Sequence, residues 1–210
     1  LKNAKEKNSC LHLVGLIGKS NMYSSIEHLV ALIELARREN IEPILHIFTD
    51  GRDSPAKSAL DIIADLPMVQ IASVSGRFFA MDRDLHWERT KRVYDVLVGN
   101  AITDGTVGDI GNEHFQQAKR SNGSNISNPS NISNNSNNLN ISNISNISNF
   151  LNKCYAGGTT DEFIEPTLIN PEQKIQDTDS IIFFNYREEG MRQLAEMFSN
   201  PDAGEKHAIP

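Results

Sequence analysis

Short apolar runs rich in β-branched residues alternate along this chain with longer amphipathic segments. That alternation points to a layered α/β fold, a sheet with helices on its faces. Leu11 to Ile17 (LHLVGLI) reads as a strand. Ser24 and Glu27 form a capping box for a helix with the apolar face Ile26, Leu29, Val30, Ile33 and Ala36, ending near Asn40. Pro43 to Thr49 is a second strand; Ser54 and Pro55 then predict the start of a helix that turns Leu60, Ile63 and Leu66 inward and stops at Pro67. Val69 to Ser75 is a third strand, and the next helix carries Trp87, Tyr94, Leu97 and Val98 on one face, with Trp87 in the core. Further on, Phe163 to Ile169 predicts an irregular strand broken by Pro166, Ser180 to Phe184 a buried strand, and Met191, Leu194 and Phe198 a last helix.

Residues 121–152 break this pattern. They hold 13 Asn and 9 Ser in 32 positions and no charged residue. Their Ile residues follow an Asn-Ile-Ser triplet that matches neither a helical stripe nor strand alternation, so the segment buries too little to offset its ordering entropy. The expectation is one long disordered surface insert within a single domain spanning residues 1–210. Its Asn-x-Ser triplets follow from composition alone. The chain opens without Met and enters an apolar run almost at once, which suggests a piece of a longer protein. A net charge of −7 argues against a nucleic-acid backbone or an anionic membrane as partner. No run approaches the roughly 20 apolar residues of a membrane-spanning helix. Cys10 and Cys154 are far apart and lack metal-ligand spacing, so they predict structural thiols in a reducing, cytoplasmic setting.

Ligands of open α/β sheets bind beyond the carboxyl ends of the strands, which makes the residues after each strand the candidates. After Thr49 comes DGRD (Asp50 to Asp53), after Ser75 comes GRFFAMDRD (Gly76 to Asp84), and after Phe184 comes NYREE (Asn185 to Glu189). Three loops therefore bring Arg52, Arg77, Arg83 and Arg187 to one edge of the sheet. A guanidinium fork matches carboxylate and phosphate oxygens, so a small dianion is the ligand class to expect. The alternative for each arginine is an ordinary ion pair with Asp50, Asp53, Asp82 or Asp84. Asp53 either accepts a proton from a ligand hydroxyl or caps the helix that follows it. His12, His28, His46 and His86 lack metal-ligand spacing and read as structural histidines. Gly105, Gly157 and Gly158 mark turns.

Taken in order, LHLVGL, SIEHLVALIELA, DGRDSP, SGRFFAMDRDLHWERTKRVYD, TDEFIEPTLI and DSIIFFNYREEGMRQL resemble the cofactor-independent (2,3-bisphosphoglycerate-independent) phosphoglycerate mutases. The resemblance covers nearly everything except residues 100–155. It implies a two-domain isomerase of glycolysis that interconverts 3-phosphoglycerate and 2-phosphoglycerate through a phosphoserine. This chain resembles only the inserted phosphotransferase domain that grips the glycerate, so alone it is expected to be inactive. The resemblance also implies that the serine and two Mn2+ ions belong to an alkaline-phosphatase-like domain outside this chain, which itself holds no metal. Arg52, Asp53, Arg77, Arg83 and Arg187 fall on the family's substrate-binding positions, with Asp53 as the proton shuttle. Tyr23 and Ser25 stand where the family carries two histidines, and Gly190 where it carries an arginine. Those departures keep a second reading open: a diverged, non-catalytic homologue that binds a phosphorylated metabolite or a protein partner.

Overall fold

The computed structural model of the chain describes residues 1–100, 145–200 and 203. Among these, β1 (Leu11–Ile17), β2 (Ile44–Thr49), β3 (Gln70–Gly76), β4 (Thr167–Leu168) and β5 (Ser180–Phe183) form one sheet in the order β4-β3-β2-β1-β5. β1 pairs in parallel with β2 and β5, and β2 with β3, while β4 runs antiparallel to β3. Both β1 and β2 are buried at every residue, as unbroken apolar runs demand of strands covered on both faces.

Seven helices surround the sheet among the described residues: α1 (Lys2–Lys7), α2 (Ile26–Arg38), α3 (Ala59–Ala64), α4 (Arg77–Ala80), α5 (Trp87–Val98), α6 (residues 145–156) and α7 (Arg192–Ser199). On one face Leu13, Leu45 and Ile47 pack with Leu29 and Ile33 of α2, Ile62 and Ile63 of α3, and Ile147, Phe150 and Leu151 of α6. On the other, Val14, Leu16 and Phe48 pack with Phe79 of α4, Val93 and Leu97 of α5, and Leu194 of α7. Alternate strand residues thus feed two cores, and each fully buried Leu, Ile or Phe contributes about 1.5–3 kcal/mol. Trp87 is buried, as expected, against Met197 and Ala203.

Several expectations are corrected. The capping box does not form: α2 starts after Ser25 with no side-chain cap, and Ser24 Oγ donates instead to the Leu16 carbonyl at the end of β1. Ser54 does not start α3, because its hydroxyl accepts the Lys19 N–H. The helix begins at Ala59, where the Asp161 carboxylate receives the Ser58 and Ala59 N–H groups, and it buries Ala59, Ile62 and Ile63. A cap supplied from a hundred residues away leaves no local signal. The strand expected over Phe163 to Ile169 shrinks to β4, preceded by a single 3-10 turn at Asp161–Phe163. β5 lies at the sheet edge and is half-buried.

Of the segment expected as disordered, residues 121–144 lie outside the described residues, as does Gly105. Residues 145–152 belong to α6 and are not loop. Ile147, Phe150, Leu151, Cys154 and Tyr155 recur at three and four residues, so the triplet spacing becomes a helical stripe once the aromatic residues extend it. The histidines of β1 and β2 are buried and hydrogen-bonded. His12 Nε2 lies 3.2 Å from Asp179, His12 Nδ1 lies 2.9 Å from His46 Nε2, and His46 Nδ1 lies 2.8 Å from Ser73 Oγ. Both cysteines are free thiols, Cys10 exposed and Cys154 half-buried, and partial desolvation raises each above its ordinary pKa, which disfavours the reactive thiolate. No helix among the described residues is long and apolar enough to cross a membrane.

Candidate functional site

Parallel pairing of β1, β2, β3 and β5 brings their carboxyl ends to one edge, and there a cavity of about 370 Å³ opens. Its lining includes Tyr23 from the loop after β1, Arg52 and Asp53 after β2, Arg77 and Arg83 at and after α4, and Arg187 and Gly190 after β5. Arg52, Asp53, Arg77, Arg83, Arg187, Tyr23 and Gly190 all lie on this one cavity.

The loop after β2 turns at Gly51, whose φ of 66° is a left-handed conformation that glycine adopts without strain. A side chain there would also meet the Glu162 backbone nitrogen at 2.6 Å. That close approach makes Glu162 part of the wall. Asp50, just before the turn, holds the Asp53 N–H at 3.1 Å.

Arg77 is the buried centre of the site. Its Nη1 donates to Asp50 Oδ1 at 2.5 Å and to Asp53 Oδ2 at 2.6 Å. Burial works against its charge, but the hydrogen bonds to Asp53 and Asp50 outweigh that and raise its pKa. Burial likewise pushes the Asp50 carboxyl up, and hydrogen bonds led by Ser54 and Arg77 overcome it to hold Asp50 below its ordinary value. Asp53 therefore does not cap the following helix; it is an ion-pair partner of Arg77 that faces the cavity.

Arg83 and Arg187 are far more exposed, and both reach one atom. Glu189 Oε1 lies 3.0 Å from Arg83 Nη1 and 3.0 Å from Arg187 Nη2, and the Tyr23 hydroxyl points at it from 3.4 Å. The Tyr23 ring packs against two guanidinium groups, 4.9 Å from Arg77 and 4.7 Å from Arg187. Ser25 is buried as the first residue before α2 and does not line the cavity. Among the described residues Arg52 makes no ion pair. Gly190 is buried, and a Cβ there would stand 2.7 Å from Met81 Cε.

Reading only strand-end residues missed Arg89 on the first turn of α5. Its guanidinium lies 4.0 Å from the Phe78 ring centroid and 3.1 Å from Asp82 Oδ2, and it lines the same cavity. Asp82 is an organiser: it also accepts from Asp84 N, His86 N and Gln193 Nε2, bonds that overcome burial and keep its carboxyl below the ordinary value. The local string MDRD gave no sign that Asp82 faces inward while Asp84 faces solvent.

Five guanidinium groups on one small cavity suit an anion. They do not suit a divalent cation, whose ligands are carboxylates, carbonyls and imidazoles. Among the described residues, one group of His, Cys and Asp side chains lies close enough to share an ion: Cys10, His12 and Asp179, at the other end of β1.

Residues 1–209 match the family model for the BPG-independent PGAM N-terminus. The chain is 36% identical to 2,3-bisphosphoglycerate-independent phosphoglycerate mutase 1 of Methanosarcina barkeri, with 96% of this chain aligned to 34% of that protein. It is 34% identical to the 2,3-bisphosphoglycerate-independent phosphoglycerate mutase of Symbiobacterium thermophilum, over 92% of this chain and 32% of the relative. The Chloroflexus aurantiacus enzyme of the same name is 34% identical over 98% and 33%. This chain spans about a third of the length of these curated relatives. An arginine cavity at the strand ends and a match over almost the whole sequence lead to the same assignment: this chain belongs to the BPG-independent phosphoglycerate mutase N-terminus family.

Proposed function

We propose that this chain is the substrate-holding domain of a cytoplasmic, glycolytic phosphoglycerate mutase, presenting 3-phosphoglycerate or 2-phosphoglycerate to a catalytic region supplied by the rest of a longer protein. The observation that carries this reading is the convergence of Arg52, Arg77, Arg83 and Arg187 from separate loops on one cavity. Arg83, Arg187 and Arg52 are the groups available to neutralise phosphate and carboxylate oxygens, which orients the glycerate for in-line transfer. Arg77 is already paired, so its role is to hold Asp53 in position. The Asp53 carboxylate, fixed in this way, takes and returns a proton of a glycerate hydroxyl. The phosphoserine and the two manganese ions belong, in this proposal, to the alkaline-phosphatase-like partner domain. Because the arginine lining does not fit a cation, no step here runs through a metal.

A coupled 3-phosphoglycerate to 2-phosphoglycerate assay on the full-length gene product tests the reading. Arg83→Ala should lower kcat/KM by about ten- to a hundredfold, the value of one charge-assisted contact of about 1.5–3 kcal/mol. Turnover unchanged within about twofold would remove Arg83 from the site.

A second reading, a diverged homologue that binds without catalysis, is favoured by Tyr23 and Gly190. Tyr23 cannot become cationic near neutral pH, and Met81 fills the space beside Gly190. Comparing the natural protein with Tyr23→His/Gly190→Arg in the same assay separates the readings. Natural turnover within about tenfold of the double variant supports a working mutase, and turnover in the double variant alone supports the diverged homologue.

A further inference from the structure

We infer that Glu189 is a resident counter-anion of this site: its carboxylate occupies the place of a ligand's acidic group between Arg83 and Arg187 and must leave before that group binds. The inference rests on the proposed function, since it concerns how the same cavity takes its ligand.

A single oxygen, Glu189 Oε1, receives Arg83 Nη1 and Arg187 Nη2 at 3.0 Å each and the Tyr23 hydroxyl at 3.4 Å. These donors come from three different loops, after α4, after β5 and after β1, and no other side chain joins all three among the described residues. Such a convergence of two guanidinium groups and a hydroxyl on one point is what a carboxylate or phosphate oxygen of a ligand requires. Glu189 supplies that oxygen from within the chain.

The contact is built to exchange. Side-chain exposure is 37% for Glu189, 52% for Arg83 and 43% for Arg187, so all three charges remain hydrated when the carboxylate swings away. The inner pair of Arg77 with Asp50 behaves differently. Asp50 and Arg77 are 1% and 8% exposed, so parting them leaves buried charge uncompensated. The inner pair is thus permanent and the outer one replaceable. Glu188, one residue earlier in the same 3-10 turn, points outward at 83% exposure and pairs with Arg192 on α7, so it carries the same charge without entering the site.

Competition by Glu189 has a measurable consequence. Two exposed ion pairs hold it, and pairs of that kind are individually weak. Removing the competitor should therefore tighten binding of an anionic ligand by about three- to tenfold. The probe is 3-phosphoglycerate, titrated calorimetrically into the chain and four variants. Glu189→Gln should bind tighter by that factor. Glu189→Asp, which keeps the charge but shortens the reach, should also gain, whereas Glu188→Gln should stay within about twofold of the natural chain. Arg83→Ala should bind more weakly than any of them.

Equal gains in Glu189→Gln and Glu188→Gln would overturn the inference, because a general change of field would then explain both. Binding that is lost in Arg83→Ala but unchanged in Glu189→Gln would overturn it as well, while leaving the cavity as the ligand site. No binding by any variant would overturn the proposed function itself and the inference with it.

Discussion

At the scale of single residues, the decisive distinction lies between charges that hold the site together and charges that are available to a ligand. Arg77 is of the first kind. Arg77→Ala should destabilise the fold by about 3–5 kcal/mol, since it leaves Asp50 buried and unpaired. Urea unfolding measures this, and a loss below about 1 kcal/mol would show that the pair is not the structural centre described here. The buried histidines make a second prediction. Burial, reinforced by His12, holds His46 well below its ordinary value of 6.5, and burial lowers His12 despite the opposing pull of Asp179. The folded chain therefore binds fewer protons than the unfolded chain once pH drops below 6.5, and stability falls with it. Asp50 and Asp82 are held below the ordinary 3.8, so their contribution is lost only at more acid pH. Tm should accordingly drop between about pH 7.5 and 5.5, by less in His46→Gln than in the natural chain; equal drops would assign the titration to other groups. The arginines were legible in the sequence because their positions after strands are a local property. Which were already paired was not, since that depends on Asp50, Asp53 and Glu189 arriving in space.

Secondary-structure elements were legible in proportion to the burial of their faces. β1 and β2 were found almost to the residue, because a strand covered on both sides must be apolar throughout. α3 was misplaced because its N-terminal N–H groups bond to Asp161, and α6 was hidden inside an Asn/Ser-rich composition that it shares with its neighbours. Three buried apolar residues nonetheless make α6 part of the core. Leu151→Ala should cost about 2–5 kcal/mol, the range for truncating a fully buried leucine. A change under about 0.5 kcal/mol in denaturant unfolding would return residues 145–152 to the surface segment expected from composition.

The molecule as a whole arranges two cores about one sheet and leaves its chemistry at the edge where the parallel strands end. A chain matching a third of its relatives' length while containing the whole arginine cavity should bind without turning over. In the proposed scheme the isolated chain retains 3-phosphoglycerate binding and shows no mutase activity in the coupled assay, whereas the full-length protein shows both; turnover by the chain alone would place the entire reaction on this chain. The sequence by itself determined the layered α/β class, the parallel strands, the family and the strand-end positions of four arginines, because hydrophobic period and strand-end position are encoded locally. Only the tertiary structure decided the cap of α3, the place of α6 in the core, the presence of Arg89 at the cavity, and the division of the arginines between a buried one and exposed ones. Each of those depends on groups far apart in the chain meeting at hydrogen-bonding distance, and no local pattern of residues records such a meeting.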